Sequence, residues 1–265
     1  DSLGIAHVGT YRDSAERDSL YPYLTTVNNI TFAILNYTYG TNGIPVNPPC
    51  IVNLIDTAQI LIDINKARSK KADVIIACMH WGDEYVLKQN KTQEQLTDWL
   101  IANGVNHIIG NHPHVIQPTE LRKDKYNSGH HFIAYSLGNY ISNQNRLSFQ
   151  DLAQSIRPYT ENGLTVTLTI RKYNTGDVFV KSIEYTPTWV HRYSRGNGYY
   201  NYNVVPLRQA VAAPSSYGLD NSSFGISHAT SALAMTDTVF ENAVMSYNSE
   251  MADTIAVFSQ SYDEN

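Results

Sequence analysis

Residues 108 to 117 read IIGNHPHVIQ, which places His112 and His114 one residue apart, directly after an apolar run and a glycine. A third imidazole, His80, closes the apolar run DVIIACMH. Imidazole is the commonest neutral ligand for zinc, iron, manganese or nickel, and a His-x-His pair in an extended loop reaches two metal ions from one short segment. The chemistry such a cluster supports is activation of water at a divalent ion. The plainer alternative is three polar caps on strand ends, each hydrogen-bonded to backbone or water.

Choosing between these depends on the elements that position the histidines. DVIIACMH is a continuous apolar run of the kind buried on both faces of a parallel or mixed sheet. VNHIIG before the His-x-His pair is a second such strand, ITFAILNY (30 to 37) a third and HHFIAYSL (130 to 137) a fourth. Between them, residues 56 to 70 carry Ile60, Ile64 and Ala67 at helical spacing. Residues 92 to 104 read as a second helix, with Thr92 as N-cap, Gln95 three residues on, Leu96, Trp99 and Leu100 on one face, and Gly104 just past the end. This βαβ rhythm predicts an α/β fold with a mixed sheet. Ligands of such sheets bind at the carboxyl ends of the strands, where His80, His112 and His114 all fall.

After residue 160 the pattern alternates polar with apolar on both sides of NTGD, which predicts an antiparallel pair near 163 to 185. From about residue 200 the chain turns polar, with a helix expected over 231 to 261, so 196 to 265 reads as a partly helical C-terminal extension of a domain formed by 1 to 195. The formal charge is −5, with 19 basic residues spread singly among 24 acidic ones. No basic block could neutralise a row of phosphates, which argues against nucleic acid. No apolar run approaches the roughly 18 residues of a membrane span, so a soluble segment is expected, with any leader or anchor upstream. Cys50 and Cys78 are too few for a disulfide framework. Cys78 reads as a small buried hydrophobe and Cys50 as a loop residue.

Three segments, HWGDEY (80 to 85), GNHPHVIQPTE (110 to 120) and YSLGNYI (135 to 141), in this order, resemble the CapA family of bacterial poly-γ-glutamate capsule synthesis proteins. The resemblance runs from GIAHVGT near the start to TPTWVHRY near residue 193. That family is similar to the calcineurin-like metallophosphoesterases, whose fold is a four-layer α/β/β/α sandwich holding two metals between its sheets. The resemblance implies that His80, His112 and His114 are ligands of one or two divalent transition metals (Mn, Fe or Zn), with His112 facing one and His114 the other. It also implies a cell-envelope protein with a membrane-anchored parent, acting on an anionic polymer or phosphoester beside other capsule-synthesis proteins. Glu84 keeps the family's HWG-x-E-Y pattern and is expected to line the crevice or orient a histidine ring. Asn139 is expected to bind substrate or to serve as a turn residue. Trp81 and Trp99 read as core, and His7, His107, His130 and His131 as structural or solvated.

The family's remaining metal ligands, an Asp-x-His or Gly-Asp pair, a bridging acid and an Asn-His pair, do not occur in this sequence. The chain therefore reads as the second half of the domain. An empty or singly occupied site is expected, as is a sheet face covered by upstream polypeptide or by a second chain. A non-catalytic polymer-binding or anchoring protein is the rival reading.

Overall fold

A computed structural model of the chain describes residues 3–125, 127, 129–147, 151–219 and 225–237 of 265. The strands are β1 (Thr10–Tyr11), β2 (Tyr23–Val27), β3 (Ile30–Thr38), β4 (Ile51–Val52), β5 (Val74–His80), β6 (His107–Asn111), β7 (Thr119–Lys123), β8 (His130–Ala134), β9 (Asn162–Lys172), β10 (Val178–Gly196) and β11 (Tyr199–Pro206). The helices are α1 (Ser14–Leu20), α2 (Thr57–Ser69), α3 (Lys91–Ala102) and α4 (Leu207–Ala212), and residues 226–237 are also helical.

The main sheet has six strands in the order β2-β3-β5-β6-β8-β7. Its four inner strands, the ones the apolar runs predict, are parallel; β2 and β7 pair antiparallel at the edges. Strand β2 is reached through Asn28 and Asn29, with φ of +49° and +61°, the left-handed region that Asn tolerates and two-residue hairpins require. On one face of the sheet, α2 and α3 lay Ile60, Ile64, Ala67 and Leu100 against Ala33, Leu35, Ala77 and Ile108. Trp81 belongs to this core, with Trp99 packed at its margin.

The second sheet runs β11-β10-β9. Val180 and Ile183 pack on Phe132 and Ala134 of the main sheet, together with the half-buried Val166, Leu168 and Ile170. The outer face of β9 presents Thr165, Thr167 and Thr169 to solvent. The described residues thus supply a helix/sheet/sheet stack, three layers of the expected four. A further cluster joins Trp189 and Val205 to Leu207, Ala210, Ala229 and Ala232 at the C-terminal end of the second sheet.

The second sheet does not cover the whole inner face of the main one. Phe32, Ile76 and Ile109 opposite Val166, Leu168 and Ile170 line an open cavity of about 430 Å³ between the sheets. Among the described residues, strand β9, which stands at that opening, has a strand neighbour on one side only, and on its other side just its first residues are bonded, to Leu137 and Asn139.

Several expectations shift. Helix α3 is capped by Asn90, not Thr92: Asn90 accepts from the Gln93 N–H at 2.9 Å, and Gln93 Oε1 accepts from the Asn90 N–H at 2.9 Å. The helix starts at Lys91, two residues earlier than a Thr92 cap would allow, because the reciprocal box closes on Asn90 and Gln93. Strand β8 ends at Ala134, since Tyr135 N–H turns to Pro118 O. Cys78 is half-buried on the partly covered sheet face, and both cysteines are free thiols. The helix expected from 231 begins at 226, and its continuation past 237 lies outside the described residues.

Candidate functional site

Parallel pairing sets the site. Register aligns Thr38 with His80 and His80 with Asn111, so the ends of β3, β5 and β6 open on one edge. His80 is the last residue of β5, and His112 follows β6 directly. Two glycines make the close approach possible. A Cβ on Gly110 would lie 2.1 Å from Tyr135 O and 2.6 Å from Trp81 Nε1. At Gly82, with φ +88°, a Cβ would lie 2.8 Å from the Gln93 amide. Gln93 donates to Gln117 Oε1 at 3.0 Å, and Gln117 donates to Val86 O and Lys88 O, which holds the loop from 81 to 90 against the helix. The Tyr85 N–H donates to Pro113 O at 2.7 Å, tying that loop to the His-x-His segment. His112 and His114 both have positive φ, +109° and +58°, the strained backbone that functional loops hold when their surroundings fix it.

The structure brings the three histidines together in a row. Ring centroids lie 4.6 Å apart for His80 and His112, and 6.2 Å apart for His112 and His114. Tyr39 stacks on His80 at 5.8 Å and packs on His112 at 4.5 Å, while Tyr85 stacks on His114 at 5.8 Å. Burial pushes the His80 imidazole below its usual pKa range, helped by its His112 and His114 neighbours and opposed by Glu84. Burial does the same to His112, again with Glu84 opposing. Depressed values favour neutral rings, the form that binds metals.

Asn139 is buried and fully engaged. Its Nδ2 faces Thr160 O at 2.8 Å, Gln144 Oε1 at 3.0 Å and His114 O at 3.3 Å, all acceptors. Its Oδ1 must therefore be what meets His114 Nδ1, at 3.0 Å. The His114 Nδ1–H donates that bond, which in the neutral ring leaves Nε2 with its lone pair toward the crevice. Asn139 thus orients the His114 ring. Gln144 in turn donates to the Tyr85 hydroxyl at 3.2 Å, closing a chain Tyr85, Gln144, Asn139, His114.

Glu84 is exposed, and its Oε1 stands 3.8 Å from His114 Nε2. Two acceptor atoms at that range attract a cation. Yet among the described residues no group of three His, Cys, Asp or Glu is disposed to hold a metal ion. The histidines line up side by side and do not close around one point, so the donors present do not fit a complete metal centre. The rings of Tyr39 and Tyr85 and the amide of Gln144 escaped the sequence reading. Tyr39 shares the His80 edge only through the β3–β5 register, and the loop carrying Gln144 shows no periodicity to follow. His107 and His131 are structural: His107 Nδ1 accepts from the Phe132 N–H, and His131 sits between Asn106 O and Asp124.

A mixed α/β fold with a histidine-lined crevice at the carboxyl edge of parallel strands defines the class. The chain belongs to the family described as bacterial capsule synthesis protein PGA_cap, whose sequence profile matches residues 1–144. It is 32% identical over 138 residues to the PGA biosynthesis protein CapA of Bacillus subtilis (strain 168), covering 48% of this chain and 32% of that protein. It is 34% identical over 110 residues to the capsule biosynthesis protein CapA of Bacillus anthracis, covering 40% of this chain and 25% of that one. The chain thus spans a third or less of the length of these curated relatives. Among solved structures, the calcineurin-like phosphoesterase YfkN from Bacillus subtilis superposes with a TM-score of 0.33 at 16% identity, over 60% of this chain and 44% of that one. No helix of the described residues is long and apolar enough to cross a membrane.

Proposed function

We propose that this chain is the histidine-bearing part of a capsule-polymer-handling protein of the cell envelope, whose crevice is a metal-dependent hydrolase site once carboxylate donors from outside these residues join it. The substrate class is a phosphoester or a γ-glutamyl amide of an anionic polymer. The reading rests chiefly on His114, whose tautomer is fixed by Asn139 so that Nε2 faces Glu84 across 3.8 Å, next to His112 and His80. The three imidazoles do not close around one point, and they supply no bridging anion to keep two ions roughly 3.5 to 4 Å apart, so the outside donors must complete the site.

Hydrolysis of bis(p-nitrophenyl) phosphate with Mn²⁺ tests the proposal. The 265-residue chain should barely exceed the free-metal background. The parent polypeptide should be faster by orders of magnitude and should lose that rate in His112→Ala. Full activity in the isolated chain would show that no outside donors are needed. A parent inert on every phosphoester and γ-glutamyl substrate would hand the function to the rival reading, a polymer-binding protein that keeps the histidines without catalysis.

The partly covered inner sheet face supports a companion proposal: an extended segment from the parent polypeptide or a second chain pairs with the open edge of β9 and fills the cavity over Ile76 and Ile109.

A further inference from the structure

Strand β10 pairs with β9 only as far as Trp189, opposite Asn162. Beyond that point it pairs with β11 alone, so residues 190 to 204 form a two-stranded ribbon that projects past the sheet. The ribbon turns at Asn197 and Gly198, with φ of +53° and +79°, as a two-residue hairpin of type I′ demands. Such a ribbon is marginal in water unless its side chains support it. Here the Arg192 guanidinium lies 3.6 Å over the Tyr200 ring, and Asn201 donates to the Tyr193 hydroxyl at 2.9 Å.

Those contacts leave much unspent. Tyr199 is 72% exposed and Tyr200 44%, with Tyr193 and Tyr202 also open. Neither Arg192 nor Arg195 has a carboxylate partner among the described residues, and Arg192 Nε is buried with no hydrogen-bond partner there. The charge pattern is one-sided: no Asp or Glu occurs between Glu184 and Asp220, in a chain whose formal charge is −5. Arg208, the other cation of that stretch, is already bonded to Asp237.

We propose that this ribbon is a docking arm for a carboxylate-bearing polymer. The arginine forks suit carboxylates, the tyrosine hydroxyls can donate beside them, and the rings offer apolar faces to the polymer's methylene groups. Among the described residues both ribbon edges lack a strand partner, so backbone amides of a polyamide can be met as well. The arm needs no metal and no hydrolysis, and it lies on different elements from the histidine crevice.

Binding of a fluorescent poly-γ-glutamate oligomer to the 265-residue chain, followed by anisotropy at low salt, tests the arm. Arg195→Gln combined with Tyr199→Ser should weaken binding about tenfold or more, a loss of about 1.4 kcal/mol. Both side chains are on the surface, so the circular dichroism spectrum should not change. Lys70→Gln, which removes an exposed cation far from the ribbon in sequence and outside the crevice, should bind as the parent sequence does, and binding should fall as salt rises. Equal affinity for uncharged dextran, no binding by the unmodified chain, or full binding by the double variant would each overturn the proposal. If the double variant binds fully while His112→Ala does not, the polymer sits in the crevice, which sinks the arm and leaves the functional proposal standing.

Discussion

The amide of Asn139 has its nitrogen committed to three acceptors, so its oxygen fixes the proton on His114 Nδ1. Replacing it with Leu strands those acceptors and the ring N–H, at a cost of about 2 kcal/mol of stability. Nitrogen-15 spectra of the His114 ring should then lose the Nδ1–H signature, whereas Gln144→Glu should keep it, because an acceptor still faces Asn139 Nδ2. An unchanged tautomer in Asn139→Leu would mean that other contacts hold the ring. His107 sets a different test. Its imidazole is buried and pushed down to about 3, so the unfolded chain takes up a proton that the folded one refuses. The His107 contribution is therefore fully present above about pH 6.5 and is lost as pH falls from there toward 3. His107→Asn keeps an acceptor for the Phe132 N–H but cannot titrate. It should be less stable at pH 7.5, yet show a shallower decline in urea midpoint from pH 7.5 to 5.

At the scale of elements, the Asn90–Gln93 box and Gly82 act together, since the Gln93 amide fills the space a Cβ on Gly82 would need. Asn90→Ala should cost about 1 kcal/mol. Gly82→Ala should cost more, because a positive φ adds to the clash, and it should free the loop from 81 to 90 as read by faster amide exchange at Tyr85. Equal costs for the two variants would argue against the shared packing. What could be read beforehand follows from the same physics. The four inner strands and the faces of α2 and α3 were legible because burial on two sides leaves long apolar runs and burial on one side leaves a period. Strands β2, β7 and β11 were not, because edge strands such as YLTTV and TELRK are short and half polar. The three histidines announced themselves by type and position. Tyr39, Tyr85 and Gln144 did not, because their place at the site depends on strand register and on hydrogen bonds across 59 residues.

For the whole molecule, the feature with most bearing on behaviour in solution is the partly uncovered inner face of the main sheet. Half-buried Phe32, Ile76 and Ile109 stand opposite Val166, Leu168 and Ile170 across about 430 Å³. An apolar gap beside an unpaired strand edge invites association. The isolated chain should bind anilinonaphthalene sulfonate and sediment in part as oligomers, and Ile170→Lys should reduce both. A monodisperse chain with no dye binding would show that the sheets close the gap by themselves. Strand β10 carries another consequence. Its 19 residues run unbroken from the sheet into the ribbon, a span of roughly 60 Å at strand rise. A load applied at the ribbon tip and directed along β10 would stress the β9–β10 ladder lengthwise, so many rungs would share the force and none would open singly. Pulled from that end, the second sheet is a shear joint, and force spectroscopy should find it stiffer there than when β11 is peeled sideways.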